Sequence, residues 1–172
     1  MACGLTQGFT LDCKKQVGGI KAIYLMELAN KGSITQASGE ISAWTQASGS
    51  QFWKYELREE SSSFTQNINL NNQAGTLFYE QAITAQLDPF NLARVNEIDL
   101  VAQNDTLVIV EDSNGRYWLA GEDNGCYITA GTMQTGQAKG DLSGFTLTLT
   151  GKEADPAREV DPSLIAGLTT PA

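Results

Sequence analysis

Apolar residues recur at every second position in several separate stretches of this chain. Leu77, Tyr79, Ile83, Ala85 and Leu87 all fall on odd positions, and Phe145-Thr146-Leu147-Thr148-Leu149-Thr150 alternates without a break. A period of two sets one side of a strand against a core and the other toward water. Seventeen glycines punctuate these stretches, and only 18% of the residues are charged. The pattern predicts a mainly β fold with tight turns. The 172 residues suffice for one domain with its own core.

Further strands follow from the same reading. Ile20 to Leu28 is a nearly continuous apolar run bounded by Gly18-Gly19 and Lys31-Gly32, which predicts a largely buried strand. Thr35-Gln36-Ala37-Ser38-Gly39 recurs as Thr45-Gln46-Ala47-Ser48-Gly49, and Ile41 to Trp44 reads as a short strand between two turns. Trp53, Tyr55 and Leu57 share one face of a strand. Phe64, Gln66, Ile68 and Leu70 share a face of the next, with Glu59-Glu60-Ser61-Ser62 as the polar tip of a long hairpin. Leu107–Val110, Tyr117–Ala120 and Cys126–Thr129 predict a meander turning at Ser113-Asn114-Gly115 and at Asn124-Gly125. The Asn-Gly pair suits a type I′ hairpin turn. Residues 131–144 read as a Gly-rich loop.

One helix is expected, over about 89–103. Asp88 can cap it, Pro89 suits its first position, and Leu92, Val95, Ile98, Val101 and Ala102 recur at helical spacing. The division predicted is an N-terminal arm over 1–19, a β-rich domain over 20–151 and an extended C-terminal arm over 152–172.

Charge and residue usage exclude several functions. The net charge is −9 and there is no histidine. An acidic chain is a poor nucleic-acid binder and a poor ligand for anionic membranes. Without histidine, Ser-His-Asp and Cys-His catalysis and most zinc chemistry are absent. Cys3, Cys13 and Cys126 are odd in number and show no Cys-x-x-Cys spacing, which predicts reduced, inert thiols. Met1-Ala2-Cys3-Gly4 ends like a lipoprotein signal, but no apolar region precedes the cysteine, so neither lipidation nor secretion is expected.

Candidate chemical motifs fail one by one. Gly131 to Gly136 has the glycine spacing of a phosphate-binding loop, but Gln137 stands where that chemistry needs lysine. Glu111 to Gly115 and Glu122 to Gly125 resemble calcium loops, yet registering Gly115 at position six puts Val110 at position one and Gly121 at position twelve. Glu56, Glu59, Glu60 and Glu80 could act as carboxylate catalysts only if the fold paired them, which the spacing does not. Asn104-Asp105-Thr106 fits a glycosylation sequon that no signal peptide supports. Trp44, Phe52, Trp53, Tyr55 and Trp118 could line a glycan-binding face, although core packing is the ordinary use of such side chains. No enzyme, metal or cofactor is expected.

The segment from Gly75 to Asp155 resembles virion structural proteins of tailed phages and prophages, particularly those of Bacteroidetes hosts. The resemblance rests on Leu77-Phe78-Tyr79-Glu80-Gln81, Leu100-Val101-Ala102-Gln103, Val108-Ile109-Val110-Glu111-Asp112 and Gly115-Arg116-Tyr117-Trp118-Leu119-Ala120-Gly121. It closes on Gly136 to Asp141 and on Gly144 to Glu153. The order of elements is also similar to the phage tail-tube fold, a β-sandwich or barrel with a flanking helix and a long hairpin. That resemblance implies a homo-oligomeric ring, commonly sixfold, forming part of a conduit in a tail tube or in a tail or neck ring. Double-stranded DNA would pass through it without specific binding. The implied partners are further copies of the chain and other tail or neck proteins, in a virion assembled after synthesis in the bacterial host cytoplasm, with no membrane involved. Glu59, Glu60, Ser61 and Ser62, at the expected hairpin tip, become candidates for contact with the next ring, and acidic side chains are expected to face the lumen. The competing expectation is a non-catalytic β-sandwich that recognises a glycan or a protein partner.

Overall fold

A computed structural model describes residues 8–11 and 14–171. The strands are β1 (Ile20–Glu27), β2 (Ser33–Ala37), β3 (Glu40–Thr45), β4 (Trp53–Glu56), β5 (Ser63–Asn71), β6 (Thr76–Leu87), β7 (Thr106–Asp112), β8 (Tyr117–Ala120), β9 (Cys126–Gln134), β10 (Gly144–Glu153) and β11 (Arg158–Val160). Helix α1 (Leu92–Gln103) follows β6, and a short α2 (Ile165–Leu168) follows β11. The structure is mainly β, as the alternation requires.

All eleven strands belong to one sheet with the order β2-β3-β11-β8-β7-β9-β10-β6-β5, while β1 pairs with β7, and β4 pairs with β1. Every pairing is antiparallel except β11 on β3, where Glu159 lies opposite Glu40. β7 meets β9 only at Thr106 and Cys126. That single bridge divides the sheet into two wings. The first is β4-β1-β7-β8-β11-β3-β2 and the second is β9-β10-β6-β5.

The ribbon of β1 and β7 is buried on both sides, which explains its unbroken apolar run. Ile23 lies opposite Val110 and Leu25 opposite Val108. These four pack on one side with Ile83, Ala85 and Leu149 of the second wing. Ala22, Tyr24, Met26, Leu107 and Ile109 pack on the other with Ile41, Leu119, Val160 and Leu168. A third cluster joins Leu87, Phe145 and Leu147 to Ile98 of α1.

Several expectations need correction. The hairpin is not formed by the strands either side of Glu59–Ser62. Trp53 to Glu56 pairs with β1 instead, because Tyr55 opposite Ile23 buries its ring on the core side. The long hairpin is β5–β6, with Asn71 opposite Thr76 at its tip. There Asn71 Oδ1 accepts from the amides of Gln73 and Ala74 at 3.0 and 3.1 Å, and Gly75 supplies a φ of 64°. The helix starts at Leu92 rather than 89, because the Asn91 side chain accepts from the Arg94 amide at 3.0 Å. Residues 131–134 belong to β9, so the connecting loop is shorter than the glycines suggest.

The meander also breaks. β9 does not return beside β8 but crosses to the second wing, and the 121–125 segment is no hairpin turn. A type I′ turn needs two positive φ values. The pair occurs at Ser38 and Gly39, 55° and 89°, between β2 and β3.

Nor is the C-terminal segment an arm. β11 lies between β3 and β8, with Val160 fully buried. The turn into α2 is capped by Asp161, whose side chain accepts from the Ser163 amide at 2.8 Å. Ile165 and Leu168 then enter the core, and the Leu168 carbonyl accepts from the Phe52 amide and from the buried Gln46 side chain. Described residues of the N-terminal arm are exposed, and its root is tied down. The Val17 amide donates to Asn114 Oδ1 at 2.9 Å, and Asn114 Nδ2 donates back to the Val17 carbonyl at 3.0 Å.

Candidate assembly surface

The second wing carries a polar face of half-buried and exposed side chains, with Thr150 buried on it. Along β6, Gln81, Ile83, Ala85 and Leu87 are buried while Glu80, Ala82, Thr84 and Gln86 alternate with them on the other side. Along β10, Leu147 and Leu149 point inward and Thr146, Thr148 and Lys152 outward. Cross-strand register aligns the outward set. Thr148 lies opposite Thr84 and Ala130, Thr146 opposite Gln86 and Thr132, and Thr84 opposite Ser63. Farther along, Thr65 lies opposite Ala82 and Asn67 opposite Glu80. The result is a broad sheet face of hydroxyl and amide groups. On these four strands its charged side chains are Glu80 and Lys152, 3.9 Å apart.

Both edges of this wing are open among the described residues. β5 pairs only with β6, over nine residues without a charge or a proline. β9 pairs with β10, with a one-residue bulge between Ile128 and Ala130, and with β7 at Cys126 alone, so no strand pairs its other side from Tyr127 to Gln134. Proteins ordinarily protect such edges with charges, prolines or bulges, because their free amides and carbonyls recruit another strand.

Apolar residues of the hairpin extend past the core. Ile68, Leu70, Leu77 and Phe78 are exposed at 68, 64, 47 and 38%. Leu70 lies opposite Leu77, so the core-facing side of the hairpin stays apolar where its own core has ended. Nearby, the Nδ2 atom of Asn69 is buried without a hydrogen-bond partner. Exposed apolar groups gathered on one element form a patch of the kind that contact surfaces use.

Glu59, Glu60, Ser61 and Ser62 occupy the turn from β4 into β5, at the root of the hairpin rather than its tip. Ser61 Oγ donates to the Arg58 carbonyl at 2.7 Å, Ser62 Oγ accepts from the Gln86 amide at 3.0 Å, and Glu60 has a φ of 59°. These bonds shape a turn and leave the two glutamates exposed.

The remaining candidates separate. Trp44 packs edge-on against Phe52 and donates its indole N–H to the Lys31 carbonyl at 2.7 Å. Trp53 is 59% exposed on β4, and Trp118 is half-buried on β8, three strands away. The three therefore form no shared sugar platform. Glu56 pairs with Lys54 at 3.3 Å and Glu80 with Lys152, so the four carboxylates are not brought together. Glu153 is buried, and its carboxylate accepts from the Asp123 and Asn124 amides, which shapes the acidic 121–125 loop from inside. Beside it, burial above all, then the Glu153 charge, pushes the Cys126 thiol up to about 12, leaving it protonated and unreactive at neutral pH. Cys3 and Cys13 lie outside the described residues. Among the described residues no three His, Cys, Asp or Glu side chains are grouped as metal ligands. No described helix is long and apolar enough to cross a membrane.

Sequence reasoning missed both the open edges and the threonine face. The alternation of Thr146, Thr148 and Thr150 was its visible signal. Set against protein-family models, curated proteins and solved structures, the chain matches none.

Proposed function

We propose that the chain is a structural subunit that assembles with copies of itself into a ring of the phage tail-tube or tail- or neck-ring type. The observation that carries this reading is the second wing, a four-stranded sheet open at both edges with one polar face and one core face. Pairing β5 of one copy with β9 of the next continues the sheet from subunit to subunit. Such head-to-tail contact closes into a ring when the rotation between copies divides a full turn. The hairpin's apolar side would then be covered by the neighbour, as its exposed leucines require.

On this reading the threonine face lines the passage. Its wall is then neutral rather than acidic, which revises the expectation of carboxylates facing a lumen. A duplex slides past a wall whose lysine, Lys152, is offset by Glu80, so that no net positive charge holds its phosphates. The acidic charge stays on the outside and keeps free subunits soluble. No cofactor or catalytic step enters this function.

The test is the mass of the purified chain by light scattering at rising concentration, with negative-stain microscopy of each species. Rings or tubes are expected. The double variant Asn67→Lys/Asn69→Lys places two charges on the edge strand and should stay folded yet monomeric. Unchanged rings from that variant would refute the role of β5.

A further inference from the structure

We propose that the N-terminal arm of one copy docks in the groove between β4 and α1 of a neighbouring copy. This inference rests on the assembly reading and names one of its contacts. The groove encloses about 500 Å³ between Trp53 on β4 and Leu100 on α1. Both side chains are more than half exposed. Glu27 and Glu97 are the charged residues among the described ones that line the groove. It is therefore a trough of mixed lining, about half apolar, with acidic walls.

The arm is its complement. Phe9 and Leu11 are fully exposed. Two apart in an extended chain, they point to the same side. Lys14 and Lys15 follow, both exposed, about 10 to 14 Å farther on at 3.3 to 3.6 Å per residue. From residue 20 onward, nine Lys and Arg stand against nineteen Asp and Glu, a net −10. The arm has two lysines against Asp12, a net +1. It is a weakly basic segment with exposed apolar side chains, attached to an acidic body.

The root of the arm lies away from its own groove. Val17 is pinned to Asn114 at the turn after β7, beside the Ile20 end of β1. Glu27 and the groove lie at the other end of that strand, seven residues or about 23 Å away. The β5–β6 hairpin is the rival occupant. It also offers exposed apolar side chains, but residues 63–79 hold no lysine or arginine for Glu27 and Glu97.

The experiment uses the full chain with Cys3→Ser and Cys13→Ser. A Leu11→Cys protein is mixed with a Leu100→Cys protein under mild oxidation, with light scattering in parallel. A disulfide between the two chains is expected. Lys14→Glu/Lys15→Glu should lower its yield about fivefold at low salt, as two exposed ion pairs imply, and Glu27→Lys should restore part of it. Oligomers without this cross-link would overturn the docking and leave the assembly reading intact. A cross-link to Leu70→Cys instead would give the groove to the hairpin. A Leu11–Leu100 bond formed only within one doubly substituted chain would make the arm a strap on its own body. A chain monomeric at every concentration would overturn both readings.

Discussion

A chain ending at residue 157 should fail to fold. Removing residues 158–172 takes Val160, Ile165 and Leu168 out of the core, where they are 0, 9 and 3% exposed. At about 1.5 to 3 kcal/mol for each buried aliphatic side chain, the loss is roughly 6 kcal/mol. It also takes β11 from between β3 and β8, and strands the buried Gln46 amide whose acceptor is the Leu168 carbonyl at 2.8 Å. An unsatisfied buried donor costs about 1 to 3 kcal/mol more. Domains are stable by only about 5 to 15 kcal/mol, so the shortened chain has little or nothing left. A graded version keeps the backbone. Leu168→Ala should cost about 3 kcal/mol. For a domain of this size that lowers Tm by about 6 to 12 °C. The assay is thermal unfolding followed by far-ultraviolet circular dichroism. A soluble chain ending at 157 that melts cooperatively at the original temperature would refute the reasoning and return this segment to the status of an arm.

Three further outcomes are expected. The folded state holds Cys126 as a neutral thiol with its pKa pushed up to about 12, so its contribution is complete below the ordinary thiol range and is lost as pH rises from about 9 through 12; a three-unit shift corresponds to about 4 kcal/mol, and Cys126→Ala should flatten that alkaline loss in denaturant titrations, an unaltered slope counting against it. Burial raises Tyr24 and Tyr55 as well, with Glu111 and Glu97 adding to it, so some alkaline loss persists in that variant. Gly144→Ala should abolish the native melting transition, because a Cβ there would stand 2.2 Å from the Leu87 carbonyl oxygen across β10 and β6; soluble protein with native stability would refute the close approach. Gln81→Leu removes the side-chain oxygen that accepts from the buried Gly121 amide at 2.9 Å and should cost about 1 to 3 kcal/mol in a denaturant titration, a neutral result implying that the loop finds another acceptor.

Strand positions were legible where one side of a strand is core. Ile83, Ala85 and Leu87 on β6, and Leu147 and Leu149 on β10, announce themselves by period two. Partnership was not legible, because alternation says which side is buried and nothing about which strand lies alongside. Trp53-Lys54-Tyr55-Glu56 alternates as well as Phe64 to Leu70, so adjacency in sequence suggested a hairpin that the fold does not make. The true tip had a local signal in Asn71 to Gly75, where an Asx turn and a glycine end the apolar pattern. β11 and α2 were invisible because three and four residues are too few to show a period. Their only trace was Asp161-Pro162, a cap followed by a first-turn proline, and the apolar Val160, Ile165 and Leu168 around it. The open edges were hidden for a related reason: an open edge is defined by a missing neighbour, which no stretch of sequence contains.

The parallel pairing of β11 with β3 also sets an order of events during synthesis. β2 and β3 leave the ribosome early, but β11 separates β3 from β8 and the rest of the first wing. Until residues 158–168 emerge, the β2–β3 hairpin has no sheet to join, and Ile41 has no Val160 against which to pack. Contacts closed across most of a chain form late and cooperatively. A chain that lacks residues 158–168 therefore cannot complete its first wing.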